Sequence, residues 1–214
     1  MTEMSENAAP SDGFRDRLLD AMLIIAPEKG WTQAALDAAA AQAGLNSGQA
    51  VLAAPGGVPD LLQALAERAT AAIGVRLAAP DIKMMKVRDK VSAGVQAYLA
   101  ALDRAKPAVK RAAGSPANLL TGPKGVWAAA DAIWSGLGDR STDYNWYTKR
   151  LILSGVIGST LLAWLGTDAP SEIDAFLARR IENVMDFEKA KGRAKDFAAR
   201  MPNPLDLLGR APKA

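Results

Sequence analysis

From Leu151 to Thr167 the chain runs for 17 residues without a charged side chain, and no other feature narrows its possible folds as far. A helix that is apolar nearly all round has to be covered on every side, so this segment is expected to be the central element of a helical core. It sits at the lower limit of what spans a hydrocarbon layer, and it contains Gly155, Gly158, Gly166, Ser154, Ser159, Thr160 and Thr167. A buried helix therefore fits better than a membrane span. Gly155, Gly158 and Ser159 would let neighbouring backbones come close. Ala, Leu, Gln, Glu, Lys and Arg dominate the rest, and no stretch alternates β-branched with polar residues for long. The predicted class is all-α, with apolar content of 50 % supplying enough material for a core.

Cysteine and histidine are both absent. That removes thiolate and imidazole zinc sites, haem ligand pairs, Glu-x-x-His di-iron sites and serine triads with a histidine base. Glu182 and Asp186 stand i, i+4 on a helix, but Arg179, Arg180 and Lys189 surround them, the pattern of a salt-bridged face. Tyr147 and Lys149 have acid–base capacity with nothing to position a substrate beside them. No catalytic residue, metal or cofactor is expected. Residues 1–13 are polar, without the basic start and apolar run of a secretory signal or the Arg-rich pattern of a presequence. They read as a disordered tail, and the expected location is the cytoplasm of a bacterium, peripheral to the inner membrane, the alternative being that the chain is a processed form.

Punctuation along the chain divides it into helices. Asp12 caps a first helix with Phe14, Leu18, Ala21, Met22 and Ile25 on one face, closed by Pro27 and Gly30. A second runs from Thr32 to Gln42-Ala43 and breaks at Gly44; a third follows Asn46-Ser47 as far as Ala54. After the turn Pro55-Gly56-Gly57, Pro59 opens a fourth that reaches Ala79. A fifth covers Met85 to Leu102, burying Val87, Val91, Val95, Tyr98, Leu99 and Leu102. Pro107 and Pro116 bracket a short segment, and a sixth helix from Pro123 to Leu137 ends at Gly136, Gly138 and Asp139. The expected division is a helix-turn-helix-like part at 14–57, a larger helical domain at 58–188, and a basic, Pro-containing tail at 189–214.

A helix-turn-helix ahead of a larger helical domain is how a TetR-type repressor reads, so a regulator that binds DNA and an apolar effector is the alternative function. Such a domain needs Lys, Arg and polar side chains against phosphate. From Thr32 to Gly57 the only charge is Asp37, and no nucleic-acid partner is expected.

The octet Asp143-Tyr144-Asn145-Trp146-Tyr147-Thr148-Lys149-Arg150 leads into the uncharged run, capped by Thr142. On one helix, Asp143, Trp146, Tyr147 and Arg150 share a face at i, i+3, i+4, i+7. Trp, Tyr and Arg dominate interface hot spots, so the stripe reads first as a docking surface and second as packing.

That octet, the Leu-rich continuation to Trp164, and Phe176-Leu177-Ala178-Arg179-Arg180-Ile181 resemble the Coq-nine family, accessory proteins of ubiquinone biosynthesis. The likeness extends more weakly over residues 14 to about 188. It implies an all-helical, TetR-like bundle that binds an isoprenoid quinone precursor or phospholipid as a homodimer and serves a di-iron hydroxylase. From the residues alone, a filled core is the natural outcome around the uncharged helix. The resemblance implies instead a cavity, with Leu99, Leu102, Trp127, Ile133, Trp134, Leu153, Ile157, Leu161 and Trp164 as candidate lipid-binding walls. Beyond Pro170 and the cap Ser171, the stripe Ile173, Phe176, Leu177, Ile181, Val184, Met185 gives way to a basic amphipathic segment. Its Lys189, Lys191, Arg193, Lys195, Phe197 and Arg200 are the candidate membrane-binding residues, as the resemblance also implies. Leu205, Leu207 and Leu208 follow among prolines as a weak apolar foot.

Overall fold

The computed structural model describes residues 10–115, 121–140 and 144–200, with side chains described over 11–115, 122–140 and 145–186. All regular structure among the described residues is helical: α1 (Pro10–Lys29), α2 (Gln33–Gln42), α3 (Ser47–Ala53), α4 (Val58–Ala78), α5 (Val87–Leu102), α6 (Lys106–Ala113), α7 (Thr121–Gly136), α8 (Tyr144–Gly166) and α9 (Pro170–Arg200). Short 3-10 turns precede α5 and α6.

Local chemistry explains most of these boundaries. Thr32 caps α2 by accepting from the Ala35 amide, and Asn46 and Gln49 form a reciprocal capping box at α3. Gly57, at φ 72°, turns the chain into α4 with Pro59 in the first turn. Several boundaries differ from expectation: α5 starts at Val87 and not at Met85, and α7 runs from Thr121 to Gly136 and not from Pro123 to Leu137. Asp12 lies within the first turn of α1, and that helix runs through Pro27 to Lys29 before Gly30 leaves it at φ 73°. Pro170 starts α9 one residue ahead of the expected cap Ser171. Thr142, Pro116 and the Leu205–Leu208 foot lie outside the described residues.

The first three helices form a small layer. Leu18, Leu19 and Met22 of α1 bury against Ala35, Leu36 and Ala39 of α2 and Ala53 of α3. Arg15 Nε donates to the Ala53 carbonyl at 3.1 Å, and Trp31 Nε1 donates to the Ala108 carbonyl at 2.9 Å, fastening this layer to α6.

α4, not α8, is the spine of the molecule. Its Leu61, Leu62, Leu65, Ala69, Ile73 and Leu77 are buried, and it packs most extensively on α5 and α7. The expectation that the uncharged helix is covered on every side does not hold. α8 packs on α7 and α9, while Leu151 and Leu162 remain 66 % and 68 % exposed. Gly155 and Gly158 do not mediate close approach either: a Cβ on Gly155 would meet nothing within 4 Å, and one on Gly158 only Val126 Cγ1 at 4.0 Å. The tight contacts lie elsewhere. A Cβ on Gly94 of α5 would fall 2.8 Å from Ile133 Cγ1, and one on Gly125 of α7 would fall 2.9 Å from Ala66 Cβ. Val87, predicted on the buried side of α5, is exposed, whereas Val91, Val95, Tyr98, Leu99 and Leu102 are buried. None of the described helices is long and apolar enough to cross a membrane.

Candidate functional site

Two features stand out, and α8 carries both. At its start lies an aromatic and ionic cluster; along its middle runs the wall of an apolar cavity.

In the cluster, Arg150 is 1 % exposed. Its Nε donates to Asp131 Oδ1, and its Nη1 donates to Asp139 Oδ2 at 3.2 Å and to the Trp146 carbonyl at 3.3 Å. Its guanidinium carbon stands 3.9 Å from the Trp146 ring centre, a desolvated cation–π contact. Lys149 Nζ donates to the other oxygen of Asp139 at 2.7 Å, and Trp134 Nε1 donates to the Lys149 carbonyl at 3.2 Å. Two cations thus meet two carboxylates, and the α7 end is fastened to the first turns of α8. Trp127, Trp146 and Tyr147 form an aromatic ladder above it, with ring centres 6.1 Å and 4.7 Å apart. Tyr147 forms the outer step at 62 % exposure.

This geometry corrects the stripe read from helical spacing. Arg150 is a buried structural ion, since its three donor contacts and the Trp146 ring consume its surface. Trp146 is half-buried between Arg150 and Tyr147. Tyr147 and, one turn on, Leu151 are what α8 presents outward. Asp143 lies outside the described residues. Helical spacing says which residues share a face but nothing of what lies against it; Asp131 and Asp139, from α7 and the loop after it, decided the outcome.

The cavity has a volume of about 570 Å³, within the range of small-molecule sites. Leu62, Leu65 and Ala66 of α4, Tyr98 and Leu102 of α5, Val109, Ala112 and Ala113 of α6, Gly125 and Val126 of α7, and Ser154, Gly158, Leu161, Leu162 and Leu165 of α8 line it. Among its described lining residues none is charged. Of the predicted wall residues, only Leu102 and Leu161 reach this cavity. Leu99, Ile133, Leu153 and Ile157 are fully packed core, and Trp164 is buried beneath Lys106, whose Nζ stands 5.0 Å from its ring centre. Trp127 belongs to the aromatic ladder and Trp134 to the Lys149 contact. These corrections share one cause. Large side chains fill space, so the void forms where small residues such as Ala112, Ala113, Gly122 and Gly158 stand in the wall.

No group of three or more Asp or Glu able to hold a metal occurs among the described residues. Glu182 and Asp186 are both exposed on α9. On α3, Val51 and Leu52 are exposed, giving that helix an uncharged outer surface. The side chains of Lys189, Lys191, Arg193, Lys195, Phe197 and Arg200 lie outside the described residues.

Comparison with known proteins bears on residues across both features. Residues 119–188, which include α7, α8 and much of α9, match the COQ9 family model. The chain is 27 % identical to a protein of Xenopus tropicalis, 28 % to one of Bos taurus and 24 % to one of Homo sapiens, each named ubiquinone biosynthesis protein COQ9, mitochondrial. Each match covers 86 % of this chain and 61 % of the relative, so the chain spans about three fifths of the length of these proteins. The mitochondrial names overturn the expected bacterial location. That expectation rested on the first residues, which are no guide to a targeting segment in a chain that covers only part of its relatives. By sequence, the chain is similar to the COQ9 proteins over most of its length.

Proposed function

We propose that the protein is a non-enzymatic, lipid-binding accessory protein of ubiquinone biosynthesis, which holds a polyprenyl quinone precursor and presents it to a di-iron hydroxylase. The observation that carries this reading is the uncharged cavity between α4, α5, α6, α7 and α8, whose apolar walls suit an isoprenoid or acyl chain. The similarity to proteins named for ubiquinone biosynthesis supplies the pathway. With neither His nor Cys in the chain, the hydroxylation chemistry belongs to the partner.

On this reading Tyr147 and Leu151, with the edge of Trp146, form the partner surface. Leu161 in the cavity wall lies 15 residues further along α8 than Trp146, roughly 22 Å at the helical rise, so one rigid element joins partner to ligand. The protein acts as a homodimer, and the basic stretch from Lys189 to Arg200 contacts anionic lipid.

Native mass spectrometry of the purified protein tests the carrier role. A co-purifying isoprenoid or phospholipid is expected, and a clean apo mass with no uptake of added lipid refutes it. Loss of the protein from cells is expected to deplete ubiquinone and accumulate a demethoxy precursor; unchanged ubiquinone removes it from the pathway.

A further inference from the structure

The cavity assigned above to a lipid is apolar except for a few hydroxyls. Tyr98 from α5 and Ser154 from α8 stand in its wall, with Ser115 just beyond the end of α6. Ser154 differs from the other hydroxyl residues of its helix. Ser159 Oγ and Thr160 Oγ1 both donate to the Val156 carbonyl, at 3.0 and 2.7 Å, the common way in which a helical hydroxyl is satisfied. Ser154 Oγ is buried and has no hydrogen-bond partner in the protein. An unsatisfied buried hydroxyl is unfavourable, and a ligand oxygen would relieve that at this wall.

Tyr98 brings a second hydroxyl. Its ring is 4 % exposed, and burial pushes the phenol up to about 12, so it remains a neutral O–H throughout the physiological range. Gly125 of α7 lies in close packing with Ala66 of α4, and a Cβ there would stand 3.8 Å from Tyr98 Oη, which places the hydroxyl at the α4–α7 side of the cavity. No Lys or Arg is found among the described lining residues to neutralise a buried anion.

We infer that Tyr98 and Ser154 make this cavity selective for an aliphatic ligand bearing a neutral oxygen function, a hydroxyl or carbonyl, over both the plain hydrocarbon and the carboxylate. A hydrocarbon leaves both hydroxyls without partners. A carboxylate at the Tyr98 and Ser154 wall would find no cation among the described lining residues. A neutral oxygen accepts from Tyr98 or Ser154 and leaves the rest of the ligand against Leu62, Leu65, Leu102 and Leu161.

The inference rests on the cavity binding a lipid at all, and the experiment keeps the two apart. Phytane, phytol and phytanic acid share one branched skeleton and differ only in the oxygen function. Each is titrated at neutral pH against the full chain carrying a bound environment-sensitive dye, with native mass spectrometry counting bound ligand. Phytol is expected to bind about three- to tenfold more tightly than phytane, the worth of a neutral hydrogen bond, with phytanic acid weaker than phytol. Tyr98→Phe and Ser154→Ala are each expected to reduce the phytol preference while leaving the phytane affinity and the helical circular dichroism unchanged. If no probe binds, the carrier reading falls and this inference with it. If all three bind equally, if the acid binds best, or if the variants weaken every probe alike, the carrier reading stands and the hydroxyl selectivity is refuted.

Discussion

Replacing Arg150 by Met separates a structural ion from a docking residue. The substitution keeps an unbranched side chain and removes the guanidinium, so packing changes little and charge pairing changes greatly. Three losses follow. Asp139, with a side chain 8 % exposed, retains Lys149 but loses its second cation. The cation–π contact with Trp146 disappears, as does the bond to the Trp146 carbonyl. Asp131, 43 % exposed, rehydrates and contributes little. Breaking a buried ion pair by removing one partner costs about 3–5 kcal/mol. Lys149 remains on Asp139, which places the expected loss near the lower end, about 3 kcal/mol, or about 6–12 °C in Tm for a chain of this size. Urea unfolding followed by far-ultraviolet circular dichroism measures it, with the m-value held constant as the check for two-state behaviour. Because Arg150 and Asp139 are buried, raising the salt concentration to about 0.5 M is expected to leave most of the difference in place. Arg150→Lys keeps a charge but loses the fork, and is expected to lie between the two. A loss below about 0.5 kcal/mol for Arg150→Met, the range of ordinary surface changes, would refute the reasoning and return Arg150 to the docking face.

Three further predictions do not depend on the Arg150 ion pairs. Tyr147→Glu places a charge on an exposed ring and is expected to leave stability unchanged while abolishing pull-down of the hydroxylase; retained capture moves the partner surface elsewhere. Gly94→Ala drives a methyl to 2.8 Å from Ile133 and is expected to destabilise by about 1–3 kcal/mol in urea titration, whereas Gly155→Ala, with open space around it, is expected to stabilise by about 0.5–1 kcal/mol. Asp168 accepts from Lys106 at 2.6 Å, and that hydrogen bond holds its carboxyl below the ordinary 3.8. A depressed carboxylate stabilises above its unfolded value and loses that contribution as pH falls through its folded value, so Asp168→Asn is expected to flatten part of the Tm-versus-pH slope below about pH 4 and nothing above it.

α2, α3 and the start of α4 were legible because their ends are written in short-range chemistry. Thr32, the Asn46–Gln49 pair, Gly57 and Pro59 act on amides within a few residues of themselves, so reading them needs no knowledge of the rest of the chain. The surroundings of α8 were not legible in this way. Its uncharged run has no polar face to say which side meets solvent, and exposure of Leu151 and Leu162 follows from where α7 and α9 end up. The partners of Arg150 stand 19 and 11 residues away, one on α7 and one beyond its end, and no local pattern marks them. For the cavity, the reading sought large apolar walls. Voids are made by what is missing, and the alanines and glycines between α4, α6, α7 and α8 carry no periodic signature.

The balance of Asp131, Asp139, Lys149 and Arg150 also limits how such a chain can diverge. Among the described residues two positive groups, one of them a buried guanidinium, meet two negative ones, so a neutral replacement at one position leaves an odd charge that the others must accommodate. Drift through single steps is then blocked by instability, and these positions are expected to change together, in charge-neutral sets, when homologous sequences are compared. Arg150 would thus change rarely and only with its partners, for reasons of folding, and its persistence alone would be poor grounds for assigning it a binding role.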